Sequence, residues 1–109
     1  MKNFINLKNI NEKEIIDGYH AKFVHSNSMT IANWRVEAGK SIPAHSHPHE
    51  QIACVIEGEF ELVVNGESKV LRPGDFALID SNVEHYGKAI TDCRLMDIFH
   101  PVRLEYKND

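Results

Sequence analysis

Four residues with metal-binding side chains alternate along one short stretch of this chain. His45, His47, His49 and Gln51 stand two residues apart. If this stretch is a β-strand, all four side chains point to the same face. Imidazole nitrogens and amide oxygens are suitable ligands for zinc, nickel, iron and copper. The spacing therefore predicts a metal site, and a lone histidine further along the chain, His85, is a further candidate ligand.

The sequence does not decide the roles of two residues in the same stretch. Pro48 can interrupt the strand alternation, so we expect His49 to lie in a loop or behind the ligands rather than to bind the metal. Glu50 has the opposite strand phase. It either orients a ligating imidazole from behind, as carboxylates often do at metal sites, or it is a solvated carboxylate.

Length and composition predict one cytoplasmic globular domain over residues 1–109. The chain is 42% hydrophobic and 26% charged, which is ordinary for such a domain. A net charge of −4 without a basic run argues against a nucleic-acid partner. The longest apolar run, Ile52 to Ile56, is too short to span a bilayer, and no export signal is visible. Cys54 and Cys93 are therefore expected to be reduced.

Turn-forming residues divide the chain into short stretches rich in β-branched and aromatic residues, which predicts an all-β barrel or sandwich. Examples of these stretches are Met29–Val36, Ile52–Ile56, Phe60–Val64 and Leu95–Phe99. The clearest element is a hairpin in which Asn65-Gly66 joins Phe60–Val64 to Glu67–Leu71, because Asn-Gly favours a type I′ turn. Only Asn11–Ile16 could make a helical turn, and that stretch is brief.

The histidine stretch resembles the first motif of the cupin superfamily, G-x5-H-x-H-x3-E-x6-G. Gly39, His45, His47, Gln51 and Gly58 keep every spacing of that motif, with glutamine in place of glutamate. The resemblance implies a small jelly-roll β-barrel over residues 18–103, preceded by an arm (1–17) and followed by a tail (104–109).

The second cupin motif, G-x5-P-x-G-x2-H-x3-N, is only partly matched. The chain has Gly74 and His85 at the correct spacing, but Asp80, Asn82 and Ala89 replace the proline, glycine and asparagine. By resemblance, one divalent transition metal (nickel, zinc, iron or manganese) is bound on two adjacent strands. Its implied ligands are His45, His47, Gln51 and His85.

A narrower resemblance is to the KdgF-type cupins of uronate metabolism. It rests on residues 45–51, on the segment 55–61 that follows, and on the ending Asp97-x-Phe99-x-Pro101-x-Arg103. Members of that family convert unsaturated uronates, released by pectin or alginate lyases, to open-chain keto forms. The resemblance implies that Asp97 and Phe99 line the catalytic pocket and that the substrate is a small anionic sugar.

For several residues near the end of the chain, physical arguments allow either a functional or a purely structural role. Leu95, Asp97 and Phe99 share one strand face, and a lone carboxylate on a core-facing surface is costly without a cation or a catalytic task. The alternative is that this face is solvated. Arg103 either pairs with a substrate carboxylate through its planar fork or is an ordinary surface arginine. Trp34 is expected to be a core or rim aromatic.

The chemistry of an unsaturated uronate then suggests a mechanism. The metal would act as a Lewis acid on the developing enolate, and Asp97 would relay a proton as general acid–base. Two other classes of function remain open, a metal-dependent cupin dioxygenase and a non-catalytic module that binds small metabolites.

A homodimer is also expected, because the segment Phe4–Leu7 has strand character and can cover a neighbour's open sheet edge.

Overall fold

Ten β-strands account for most of the chain, and the computed structural model describes residues 2–107. Two short 3₁₀ helices flank them, at Leu7–Asn9 and Leu104–Tyr106. No helix of the described residues is long and apolar enough to cross a membrane. The strands are β1 (Lys13–Ile16), β2 (Tyr19–His25), β3 (Thr30–Val36), β4 (Ser41–His45), β5 (Glu50–Glu57), β6 (Phe60–Val64), β7 (Glu67–Leu71), β8 (Phe76–Ile79), β9 (His85–Ala89) and β10 (Cys93–His100).

The strands form two antiparallel sheets. One has six strands in the order β1-β2-β3-β10-β5-β8, and the other has four in the order β4-β9-β6-β7. Inward side chains of both sheets make one core, as expected where strands alternate between a buried and an exposed face. The largest aromatic members of that core are Tyr19, Trp34, Phe60 and Phe99. The all-β fold predicted from the sequence is confirmed.

The hairpin between β6 and β7 has the predicted boundaries. Asn65 and Gly66 both have positive φ angles, 49° and 80°, and the flanking residues Val64 and Glu67 are the first paired residues. This is the backbone geometry that a type I′ turn requires. The prediction succeeded because the turn is determined by the two residues themselves rather than by distant contacts.

The helical turn expected at Asn11–Ile16 is wrong. Residues 13–16 form β1, which pairs with β2 through Lys13 opposite Ala21 and Glu14 opposite His20. The backbone N–H of Gly18, which has a φ of 79°, donates to the Glu14 carboxylate at 2.9 Å and closes this second hairpin. Pairing with the neighbouring strand β2 thus overrides the weak helical preference of these residues.

Both ends of the described chain are attached to the barrel. The Lys22 ammonium donates to the Leu7 carbonyl at 3.1 Å. At the other end, the Arg103 N–H donates to Thr30 Oγ1 at 2.9 Å, and His25 Nε2 donates to the Tyr106 carbonyl at 3.1 Å. These bonds hold residues 103–106 over one mouth of the barrel. Met1 of the expected arm and residues 108–109 of the expected tail lie outside the described residues.

Replacement of Gly66 by alanine tests the hairpin. A Cβ atom added at Gly66 meets no atom within 4 Å, so the substitution changes only the backbone preference. A left-handed conformation costs a non-glycine residue ~1–2 kcal/mol, and Gly66→Ala should lower the free energy of unfolding in urea by that amount. The exposed neighbour substitution Glu67→Ala should change it by less than ~0.5 kcal/mol. Equal urea midpoints for Gly66→Ala and wild type would contradict the assignment.

Candidate metal centre and pocket

A cavity opens between the two sheets at the end of the barrel covered by residues 103–106. It encloses about 640 Å³ of empty space, including the solvent at its mouth. Apolar side chains make most of its wall, which is typical of small-molecule sites. The polar and charged side chains on that wall include His45, His47, Gln51, His85, Asp97 and Arg103.

Three histidines form a cluster on the cavity wall. His45 ends β4 and His85 begins β9, and the two are directly opposite in register with ring centroids 4.2 Å apart. His47 lies in the connection between β4 and β5, and its ring centroid is 5.0 Å from that of His85. One ring nitrogen of each histidine lies within 4.8 Å of the others. The three imidazoles are thus close enough to share one metal ion.

Backbone carbonyls determine which nitrogen of each ring can bind a metal. Nδ1 of His45 donates to the Pro43 carbonyl at 2.7 Å, and Nδ1 of His85 donates to the Val83 carbonyl at 2.9 Å. Nδ1 of His47 likewise donates to a carbonyl, that of residue 49, at 3.0 Å. A neutral ring that donates from Nδ1 carries its lone pair on Nε2. Hydrogen bonds of this kind orient the histidine ligands of metal sites.

The amide of Gln51 adds an oxygen to this cluster. Its Oε1 lies 3.0 Å from Nε2 of His47, and both atoms carry lone pairs when the His47 ring is neutral. Two ligands ~2.1 Å from one metal at right angles are themselves ~3 Å apart. Nε2 of His85 is buried and has no hydrogen-bond partner. A shared divalent cation would satisfy all three atoms, so the donor set fits a transition metal.

Burial keeps these imidazoles in the form that binds metal. Loss of hydration lowers the pKa of His85 to about 4, and it also lowers the pKa of His47, with a further contribution from the nearby charge of Arg103. Desolvation disfavours the protonated ring because that form carries the charge. At neutral pH both rings are therefore unprotonated at Nε2, as coordination requires.

The expectation that one strand carries the alternating ligands is wrong. β4 ends at His45 and β5 begins at Glu50, because the chain turns at Pro48 to pass from the four-stranded to the six-stranded sheet. Only His45 and His85 are on adjacent strands, and Gln51 comes from the opposite sheet. Two sheets thus converge on the site.

His49 and Glu50, whose roles the sequence did not decide, lie in different environments. His49 lies in the connection before β5, as expected, and its ring centroid is 6.5 Å from that of Phe99. It contributes its carbonyl to the orientation of His47. Glu50 is exposed at the start of β5, which agrees with the alternative of a solvated carboxylate.

Asp97 projects from β10 into the same cavity, as its strand phase predicted. Its neighbours in register are Ala32 and Ala53, whose small side chains leave room for the carboxyl group. The indole N–H of Trp34 donates to Oδ2 at 3.0 Å. Burial raises the Asp97 pKa to about 6, and hydrogen bonds from Gln51 and Trp34 and the charge of Arg103 oppose that rise. This carboxyl group therefore changes its protonation state close to neutral pH.

Arg103 is a buried residue of the cavity wall and not an ordinary surface arginine. Its guanidinium carbon lies 4.7 Å from the centre of the Phe99 ring and 4.5 Å from that of Tyr106. One terminal nitrogen donates to the Glu105 carboxylate at 2.9 Å, and Nε is buried without a partner. Two aromatic rings thus hold a cation that retains an unused donor.

Sequence reasoning missed two contributions to this site. It did not find that Trp34 holds Asp97, because the two are 63 positions apart and meet only through the pairing of β3 with β10. It also placed Tyr106 in a tail, whereas the Tyr106 ring stacks on Phe23 at 4.4 Å and lines the cavity. The one available signal for the latter was an aromatic residue in a mostly polar ending.

Comparisons with known proteins agree with this architecture. The sequence model of the Cupin domain matches residues 32–99. The pectin degradation protein KdgF of Dickeya dadantii (strain 3937) is 30% identical over 97 residues, which cover 86% of this chain and 88% of the relative.

Two solved structures have nearly the same backbone. An RmlC-like cupin from Shewanella frigidimarina has a TM-score of 0.92 at 26% identity and covers 97% of this chain and 96% of its own. KdgF from Halomonas sp. has a TM-score of 0.91 at 25% identity and covers 97% and 99%. The fold, the family match and the similarity over most of the chain together show that this protein belongs to the cupin family.

Proposed function

We propose that this protein binds one divalent transition metal and converts unsaturated uronates from pectin or alginate lyases to open-chain keto uronates. The observation that carries the proposal is the cavity wall, which combines a metal-ligand cluster, a carboxyl group with a pKa of about 6 and a buried arginine. The similarity to a pectin degradation protein over most of the chain supports the same substrate class.

The charge of the site suits an anionic sugar. His45, His47, Gln51 and His85 are all neutral ligands, so a bound divalent metal would keep its double charge and supply Lewis-acid stabilisation of developing negative charge. Arg103 provides a second, permanent positive charge on the same wall. Its planar group can pair with a carboxylate more specifically than an ammonium can.

The proposed reaction moves one proton and requires no redox step. In the cyclic hemiacetal form of an unsaturated uronate, the ring oxygen is also an enol-ether oxygen. The Asp97 carboxylate accepts the proton of the anomeric hydroxyl as the bond from the anomeric carbon to the ring oxygen breaks. An aldehyde and an enolate result, and Asp97 returns the proton to the ring carbon that becomes the methylene group. A group that both accepts and donates a proton works best with a pKa near the working pH.

Two aromatic residues support this carboxyl group and the substrate. The indole N–H of Trp34 fixes one Asp97 oxygen, which orients the group for proton transfer. The Phe99 ring lies edge-on to His47 at a centroid distance of 5.6 Å. We assign to Phe99 the role of a wall that positions the sugar ring between the metal ligands and Asp97.

The function is tested by incubating metal-loaded protein with unsaturated uronate generated by a lyase. The ultraviolet absorbance of the conjugated double bond should decay faster than the spontaneous rate, and a chelator should remove the acceleration. Oxygen consumption that depends on the protein would instead favour a dioxygenase. An intact metal site without turnover of any uronate would favour a binding module.

The ligand assignment predicts the metal content of two variants. Wild-type protein dialysed without chelator should contain about one metal per chain by elemental analysis. The double substitution of His45 and His47 by alanine removes two of the four ligands and should abolish that content. The control His49→Ala keeps the backbone carbonyl that orients His47 and should retain the metal. Metal retained by the double variant would refute the assignment.

The proton relay predicts the effect of Asp97→Asn. Asparagine has nearly the same shape and still accepts a hydrogen bond from Trp34, but it cannot accept and return a proton at neutral pH. Fold and metal content should therefore persist while activity falls ~10²- to 10⁴-fold, the usual contribution of general acid–base catalysis. The companion Phe99→Ala should mainly raise KM. Near wild-type turnover by Asp97→Asn would show that Asp97 is a structural carboxylate.

A further inference from the structure

A chain of three hydrogen bonds holds the segment 103–106, which covers the mouth of the cavity. The Arg103 backbone nitrogen lies 2.9 Å from Oγ1 of Thr30, the first residue of β3. The same Oγ1 lies 2.9 Å from Nδ1 of His25, the last residue of β2. Nε2 of that imidazole lies 3.1 Å from the carbonyl oxygen of Tyr106. One hydroxyl and one imidazole thus join both ends of the segment to the same pair of strands.

Only one arrangement of protons satisfies every member of this chain. The Tyr106 carbonyl can only accept, so Nε2 of His25 carries a proton. The Arg103 N–H can only donate, so Thr30 Oγ1 accepts that bond and directs its own hydroxyl hydrogen to Nδ1 of His25. Thr30 is 0% exposed, and a hydroxyl hydrogen without a partner is costly in such a place. The His25 ring is therefore the Nε2–H tautomer, the opposite of the three candidate metal ligands.

The segment held in this way carries the buried cation of the cavity wall. The Arg103 guanidinium carbon lies 4.7 Å from the centre of the Phe99 ring and 4.5 Å from that of Tyr106. The Tyr106 ring in turn stacks on Phe23 of β2 at a centroid distance of 4.4 Å. Because the Tyr106 backbone is bound to His25, a displacement of the segment would move the guanidinium and its supporting ring together. The hydrogen-bond chain therefore determines where this charge lies.

We propose that His25 and Thr30 are positioning residues that hold the Arg103 guanidinium where it pairs with the carboxylate of the substrate. The inference rests on the proposed function, because it takes an anionic sugar as the partner of Arg103. Neither His25 nor Thr30 lines the cavity, so both act through the backbone of residues 103–106. Asp97 is held separately by the indole N–H of Trp34. Loss of the chain should therefore weaken substrate binding and spare proton transfer.

Two substitutions of Thr30 separate this role from packing. Valine has nearly the same shape but no hydroxyl, so Thr30→Val leaves the Arg103 N–H and Nδ1 of His25 without partners. KM for unsaturated uronate should rise ~10-fold with little change in kcat, since a 1 Å misplacement of a positioning group can cost up to ~100-fold. Thr30→Ser keeps the hydroxyl and should have nearly the wild-type KM. A Thr30→Val variant that is destabilised but has the wild-type KM would overturn the proposal.

A double-mutant cycle shows whether the effect passes through Arg103. If Thr30 acts only by holding the guanidinium, Thr30→Val should raise KM by less than ~2-fold in an Arg103→Met background, because effects of coupled residues do not add. The control is Thr91→Val. Thr91 Oγ1 also accepts a backbone N–H, that of Glu59 at 3.0 Å, but it lies beyond the end of β9 opposite His85, so KM should not change. The same ~10-fold rise from Thr30→Val in both backgrounds would contradict the proposal.

Binding of D-galacturonate tests the positioning role without turnover, because this sugar has the carboxylate but lacks the double bond. Calorimetry on the metal-loaded protein should show ~10-fold weaker binding by Thr30→Val than by Thr30→Ser, as expected for a misplaced positioning group. This difference in a protein that turns over no uronate would refute the proposed reaction and leave the positioning role intact. Equal binding by the two variants, or no binding by either, would overturn the positioning role.

The tautomer of His25 tests the hydrogen-bond chain in unmodified protein, which matters if Thr30→Val does not fold. Nitrogen-15 correlation spectra at neutral pH should place the ring proton of His25 on Nε2 alone. The hydroxyl hydrogen of Thr30 should also exchange slowly with solvent, because it is bound to Nδ1 in a buried site. A His25 ring that carries a proton on Nδ1 would overturn the proposal.

Discussion

Three hydrogen bonds from imidazole Nδ1 to backbone carbonyls are the constraint on which the candidate site depends. For His45 and His85 the accepting carbonyl lies two residues upstream, and for His47 it lies two residues downstream. The paths of the backbone at the end of β4, in the following connection and at the start of β9 therefore fix each ring. All three rings present an Nε2 lone pair to the space that Gln51 closes from the opposite sheet. The backbone itself thus orients the three imidazoles toward one point.

The central strands of the six-stranded sheet connect this site to the rest of the molecule. The inner face of β5 carries Gln51 and the inner face of β10 carries Asp97, while their outer faces carry Ile52 and Ile98. The strict two-residue period of a strand keeps these two faces separate, so each strand contributes one side chain in two to the cavity.

Features of this fold were predictable from the sequence when they depend on residues that are close together along the chain. The Asn65-Gly66 turn was predictable because its conformation depends on those two residues alone. The candidate ligand residues were identified from their spacing, but residues 45–51 do not form one strand, since the chain crosses between sheets there. The contact of Trp34 with Asp97 depends on the pairing of distant strands, which single-sequence patterns do not encode. The hairpin of β1 and β2 is local, and its turn at Asp17-Gly18 was a signal that sequence reasoning missed. Local rules thus indicated the candidate ligands, and the long-range pairing of strands brings them together.

The tautomers of the three histidines provide the most direct test of the account. Long-range proton–nitrogen correlation spectra of metal-free, nitrogen-15-labelled protein at neutral pH report which ring nitrogen is protonated. The account predicts Nδ1–H for His45, His47 and His85, and a shift of all three Nε2 resonances when one equivalent of zinc is added. Rings protonated at Nε2, or Nε2 resonances that zinc leaves unchanged, would contradict a metal centre organised by the backbone.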